Sequence, residues 1–218
     1  LAVPHYFDAE PGSGHRPGTL TLTLPDCTFE LATDTGVFAG SGIDPGTKYL
    51  LLDGPRPAPA ETGALADLGC GYGPVALTLA RRAPAATVYA IDVNARAREL
   101  CAANAAANGL ANVVVCAPDD VPPEVRFAGL WSNPPIRIGK QALHELLARW
   151  LARLAPDAHA ALVVQKHLGS DSLARWLDAQ GYAVDRLGSR RAYRILDVRA
   201  RAAAATDAPV PHSRGHHV

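Results

Sequence analysis

Asp67-Leu68-Gly69-Cys70-Gly71-Tyr72-Gly73 follows a short apolar run, Ala64–Leu68, and leads into the apolar-periodic stretch Pro74–Arg82. The run has the length and composition of a buried strand. The stretch after it reads as a helix that Pro84 ends. A strand that turns through glycines straight into a helix opens a βαβ unit, so this segment predicts an α/β chain with a mostly parallel, doubly wound sheet.

Working outward, the alternation continues. Thr87–Ile91 reads as a strand, and Asn94 caps a helix that runs to about Asn108 and stops at Gly109. Strands are expected over 112–116 and 125–131, a helix over 139–154, a strand over 159–165 and a helix over 170–180. The last two strands, 182–187 and 192–199, are joined by a turn too short for a crossover helix and should pair antiparallel. Upstream, 19–24 alternates with period two and 27–33 is its hairpin partner. Asp44-Pro45 marks a helix start, and 53–62 is a Pro-rich connector. The expected organisation is a β-rich extension over 1–60, the α/β domain over 61–200 and a disordered tail over 201–218.

The glycine spacing is GxGxG with Pro74 following, rather than the GxGxxG of dinucleotide folds. It favours S-adenosyl-L-methionine over NAD. Glycines there let backbone N–H groups approach a ligand without a Cβ in the way. Asp92, at the end of the second strand, is placed to accept from ribose hydroxyls; a strand-end turn residue beside Asn94 is the plainer alternative. Asp119, after the third strand, can accept from an adenine amine or be a solvated loop acid, and Asp120 is the adjacent candidate.

Ser132-Asn133-Pro134-Pro135-Ile136 follows the fourth strand. The exocyclic amine of a nucleobase is a poor nucleophile because its lone pair is delocalised into the ring. Oxygens that accept from both amine protons pull the nitrogen toward tetrahedral geometry and free that pair. The Asn133 side chain and the Pro134 carbonyl offer two such oxygens, and the prolines stiffen the turn that aims them. Alone, Asn-Pro-Pro is an ordinary turn; after a cofactor loop and at this strand, it reads as a clamp for a planar amine.

With Gly36-Val37-Phe38, Asp44-x-Gly46-Thr47, the 67–73 loop, Asp92-Val93-Asn94 and the Asn-Pro-Pro-Ile run, the chain resembles the small-domain class I methyltransferases that make N2-methylguanine in ribosomal RNA. The likeness covers most of 36–199. It implies a Rossmann-like, seven-stranded sheet in the order 3-2-1-4-5-7-6 with an antiparallel seventh strand. It also implies that Asp67, Gly69, Cys70, Gly71, Gly73, Asp92, Val93, Asp119 and Asn133 line S-adenosyl-L-methionine, and that Asn133, Pro134, Pro135 and Ile136 hold the target amine. Phe38 would sit near the acceptor or serve as a core aromatic. The implied partner is ribosomal RNA or the small ribosomal subunit. Larger members carry two tandem domains where this chain has one, and many carry an aromatic where it has Ile136.

Arg137, Lys140, Lys166, His167, Arg190, Arg191 and Arg194 fall in segments near the expected site and would form a phosphate-contacting patch if they cluster. Of these, Arg137, Lys166 and His167 are the leading substrate-binding candidates. The whole chain has 21 Lys plus Arg against 21 Asp plus Glu, so bulk charge gives no attraction for nucleic acid. Protein glutamine amides and small-molecule amines fit the same clamp, and a non-catalytic cofactor-binding assembly module is the alternative outside enzymology. Cys27, Cys70, Cys101 and Cys116 form no CxxC pair and no zinc spacing, so a reducing cytoplasm and no metal are expected. The first ten residues have neither the basic nor the apolar part of a signal peptide, and no apolar run approaches the roughly 20 residues of a membrane helix.

Overall fold

The computed structural model describes residues 16–35, 37, 42–190 and 192–200. Strands β1 (Gly18–Thr23) and β2 (Thr28–Thr33) form an antiparallel hairpin, followed by helix α1 (Pro45–Asp53). Asp44 caps α1, its carboxylate accepting from the Thr47 amide at 2.9 Å. The chain then alternates: β3 (Ala64–Leu68), α2 (Pro74–Arg82), β4 (Thr87–Ile91), α3 (Ala95–Ala107), β5 (Val113–Cys116) and β6 (Phe127–Ser132). It continues with α4 (Lys140–Leu151), β7 (Leu154–Gln165), α5 (Ser170–Ala179), β8 (Tyr182–Arg190) and β9 (Tyr193–Ala200).

The seven-stranded sheet has the order β5-β4-β3-β6-β7-β9-β8. Counted from β3 this is 3-2-1-4-5-7-6. The β3–β4, β3–β6, β4–β5 and β6–β7 pairs are parallel, and β9 runs antiparallel to both neighbours. Alternate residues of β3 feed two layers. Leu65 packs with the apolar faces of α1, α2 and α3, while Ala66 and Leu68 pack with α4 and α5. Each fully buried Leu of this kind contributes about 1.5–3 kcal/mol, so covering both faces holds β3 rigidly at the centre. Strand order reverses at β3, where crossovers lead to β4 on one side and β6 on the other. A crevice therefore opens at the carboxyl ends of these strands.

Three local features depart from expectation. Helix α4 stops at Leu151, and β7 starts at Leu154 instead of 159. Pro156 and Asp157 hide the strand, because Asp157 adopts φ 62° and the β6–β7 register shifts between Phe127 and Gly129. β8 also runs past 187, through a register shift between Arg186 and Gly188.

The hairpin joins the main core through Leu22, Leu24, Phe29 and Leu31, all buried. Asn104 of α3 fastens it. Its side chain accepts from Ala32 N (2.7 Å) and donates to Ala32 O (2.9 Å) and to Tyr72 O in the cofactor loop (2.8 Å). Among the described residues no helix is long and apolar enough to cross a membrane.

Candidate active site

The loop after β3 is stitched to the next strand. The amides of Gly69 and Cys70 both donate to the Ile91 carbonyl, at 2.8 and 3.1 Å. Gly69 (φ 80°) and Gly71 (φ 54°) have left-handed backbone that disfavours a side chain. A Cβ on Gly69 would meet nothing within 4 Å, and one on Gly71 only Val37 Cγ1 at 3.9 Å. Both glycines thus present bare backbone to a cavity of about 550 Å³ that they line. Gly73 does not line it; a Cβ there would lie 2.9 Å from Cys101 Sγ, so its bareness serves helix packing.

Asp92, also in the lining, has both carboxylate oxygens engaged: Oδ2 accepts from Gly71 N and Oδ1 from Asn94 N, each at 2.9 Å. Burial pushes its pKa up, and these two hydrogen bonds oppose the shift. Val93 stands exposed on the rim. Asp67 lies elsewhere, 1 % exposed, and lines a small void of about 30 Å³ beneath the loop with Cys70, Thr47 and Asn133. Burial raises its pKa to about 8, so at neutral pH it is mainly a protonated acid that accepts from Ala76 N at 2.9 Å. Cys70 is buried in the same small void. Its neighbour Cys101 and desolvation hold its thiol well above the ordinary range, which leaves it an inert packing group.

At the end of β6, Ser132 Oγ donates to Leu68 O at 2.7 Å and locks the clamp strand to β3. Asn133 follows. Its Nδ2 donates to Asp44 Oδ1 at 2.8 Å and to Thr47 Oγ1 at 3.0 Å. An ionised carboxylate only accepts, so Asp44 fixes which way the amide faces and turns Asn133 Oδ1 away from α1. Among the described residues nothing donates to that oxygen. The Pro134 carbonyl accepts from Ile136 N at 2.8 Å, which uses one lone pair and leaves the second. Ile136–Ile138 makes a single 3-10 turn, and both isoleucines rest on the α4 layer while lining the cavity.

The cavity therefore brings together Gly69, Gly71, Asp92, Val93, Asn133, Pro134, Pro135, Ile136 and Arg137 of the sequence-based candidates. It leaves out Asp67, Cys70 and Gly73, as described. It leaves out Asp119, which is exposed and paired with Arg149 of α4 at 2.8 Å; its neighbour Pro118 is in the lining instead. Lys166 and His167 are not in the lining either, although Gln165 and Leu168 beside them are. Arg190 pairs with Asp53, and Arg194 with Asp171, so part of the supposed basic patch is neutralised. Phe38, Gly36 and Arg191 lie outside the described residues.

Sequence reading missed Asp44 as the anchor of Asn133, and it missed Gln165 and Tyr193 in the wall. Asp44 carried a readable signal as a helix cap and as part of the run that resembles the family, but neither points to Asn133. Its bond to a residue 89 positions away has no local signature.

A family model, methyltransferase small domain, matches residues 28–197. The uncharacterized protein YbxB of Bacillus subtilis is 33% identical over 195 residues, which cover 88% of this chain and 96% of that one. Ribosomal RNA small subunit methyltransferase C of Pseudomonas aeruginosa is 34% identical over 177 residues, covering 74% of this chain and 52% of its own length. The chain thus spans about half the length of the ribosomal RNA methyltransferases it matches. Among solved structures, the T. thermophilus 16S rRNA N2 G1207 methyltransferase (RsmC), in complex with AdoMet and guanosine, superposes with a TM-score of 0.67 at 22% identity. That match covers 85% of this chain and 51% of that one and is a likeness of fold. With a family model that spans most of the sequence, the chain belongs to the methyltransferase small-domain family.

Proposed function

We propose that this chain is an S-adenosyl-L-methionine-dependent N-methyltransferase acting on the exocyclic N2 amine of a guanine in ribosomal RNA of the small subunit. The observation that carries the reading is the orientation of Asn133. Its amide nitrogen is held by Asp44 and Thr47, which leaves its oxygen as an acceptor at the junction of the cofactor loop and the clamp.

The residues present fit the cofactor. Gly69 and Gly71 offer bare backbone to the cavity, Asp92 is held rigidly on its rim, and about 550 Å³ suits a nucleoside-sized ligand together with an acceptor base. When bound, S-adenosyl-L-methionine supplies a methyl group on an electron-poor sulfonium sulfur. The chain's own work lies on the acceptor. Asn133 Oδ1 and the free lone pair of Pro134 O accept from the two amine protons, localise the nitrogen lone pair and stabilise the positive charge that grows there. These oxygens are fixed before the reaction and need no reorganisation during it. No group with a tuned pKa is required: the amine lone pair would take the methyl carbon, the electron pair of the broken carbon–sulfur bond would stay on sulfur, and the proton would pass to solvent water once the nitrogen is cationic. A base inside a duplex cannot reach this crevice, so the target guanine is unpaired or flipped. Ribosomal methyltransferases among the relatives support the RNA part of the reading.

Incubation of the chain with methyl-labelled S-adenosyl-L-methionine and either naked 16S RNA or small subunits, followed by mass analysis of nucleosides, tests it. The expected product is N2-methylguanosine. Label found only in glutamine amides of ribosomal protein, or only in small amines, contradicts the acceptor assignment.

A further inference from the structure

The cavity wall divides at Asn133. Leu68, Gly69, Gly71, Asp92 and Val93 come from the end of β3 and the loops after β3 and β4; Ile136, Arg137, Leu146, Gln165, Leu168 and Tyr193 come from the other side. Most polar side chains in the lining already have duties. Asp44 holds Asn133, Asp92 holds the loop, and Asn94 caps α3. Gln165 and Tyr193 are different. They end β7 and begin β9, sit opposite one another across the antiparallel ladder, and are joined by Gln165 Nε2 donating to Tyr193 Oη at 3.0 Å. Tyr193 is held in place from below, since its ring lies where a Cβ on Gly46 would be, 2.6 Å from Cε1. Gly46 is in the same α1 turn as Asp44 and Thr47, so the pair and the Asn133 anchor share one support.

The bond between them leaves the Gln165 carbonyl oxygen free to accept and the Tyr193 hydroxyl free to donate. If the amide is turned over, the roles exchange, and the pair still offers one acceptor and one donor. Beside its amine, guanine carries a ring N1–H donor followed by an O6 acceptor. Adenine and cytosine carry an unprotonated ring nitrogen beside theirs, which asks for a donor there. One acceptor plus one donor therefore complements guanine alone among the amine-bearing bases.

We infer that Gln165 and Tyr193 read the N1–H and O6 of the acceptor base and so make the site guanine-specific. The inference rests on the proposed amine methylation and deepens it: Asn133 and Pro134 would select an amine, and Gln165 with Tyr193 would select which base bears it.

The test is binding of guanosine and of 2-aminopurine riboside, by calorimetry, to the full chain saturated with S-adenosylhomocysteine. The second nucleoside keeps the C2 amine but lacks both N1–H and O6. Wild type should prefer guanosine by about tenfold or more, the size expected for one or two neutral hydrogen bonds. Gln165→Leu and Tyr193→Phe should each shrink that preference severalfold by weakening guanosine alone, with S-adenosylhomocysteine affinity unchanged as the check on folding. Equal binding of both nucleosides to wild type, or a wild-type preference in both folded variants, overturns the inference and leaves amine methylation standing. Failure of wild type to bind either nucleoside overturns it together with the guanine reading.

Discussion

Asp44 offers the sharpest perturbation because one carboxylate oxygen does two jobs: Oδ1 accepts from Thr47 N at 2.9 Å and from Asn133 Nδ2 at 2.8 Å. In Asp44→Ala the first loss is a helix cap, about 1 kcal/mol, which lowers the midpoint of thermal unfolding by about 2–4 °C for a chain of this size. The second loss is orientation. Thr47 Oγ1 at 3.0 Å then remains as the partner of the Asn133 amide, and a hydroxyl can donate as well as accept. The amide is free to turn over and point a nitrogen at the acceptor amine. A hydrogen bond to a charged group is worth about 1.5–3 kcal/mol, so removing it should lower kcat roughly 10- to 100-fold. S-adenosyl-L-methionine affinity should hold, since the Asp44 side chain bonds to Thr47 and Asn133 rather than to the cofactor loop's glycines or Asp92. Asp44→Asn keeps an accepting oxygen in the same place and should recover most of both losses. Steady-state methyl transfer and a melting curve on the three proteins decide the matter. Wild-type kcat in a folded Asp44→Ala protein refutes the reasoning that the carboxylate sets the direction of the clamp.

Other outcomes follow from single buried groups. Native Asp67 has its pKa raised to about 8 from 3.8, so the folded chain holds the extra proton between those values. Its contribution to stability is full below the lower value and falls as pH rises toward the upper one, by at most about 1.4 kcal/mol per pH unit. Asp67→Asn should flatten that decline in urea unfolding measured across the interval; an unchanged pH dependence would show that Asp67 is ionised in the native state. Asn104→Ala strips partners from Ala32 N, Ala32 O and Tyr72 O at once and should cost about 2–4 kcal/mol in the same assay. A cost below 1 kcal/mol would mean that water replaces the amide.

The order of strands and helices along the chain was legible because each crossover announces itself, whereas their order across the sheet came from the family resemblance. Apolar runs of strand length alternate with capped helices, Gly69, Gly109 and Gly181 mark turns, and the last two runs are too close for a helix between them. The Asp44 cap was legible for the same reason, being a contact three residues long. What sequence could not supply are contacts between distant segments. Asp119 has the right place in the order of strands but turns outward to Arg149, a residue of a helix 30 positions on. Lys166 and His167 follow the right strand, yet Gln165 and Leu168 fill the wall, because Lys166–Leu168 is a 3-10 turn, in which side chains three residues apart share a face. Asp67 reads as a ligand contact by its position, but complete burial makes it a neutral support of the loop.

The most direct test of the account is nucleoside mass analysis of 16S RNA after reaction with wild type and with Asn133→Ala, with S-adenosylhomocysteine affinity measured on both. Loss of one preorganised acceptor predicts N2-methylguanosine formation slower by about 100-fold or more, with cofactor affinity unchanged. Equal rates from the two proteins would contradict the claim that the Asn133 oxygen prepares the amine for transfer.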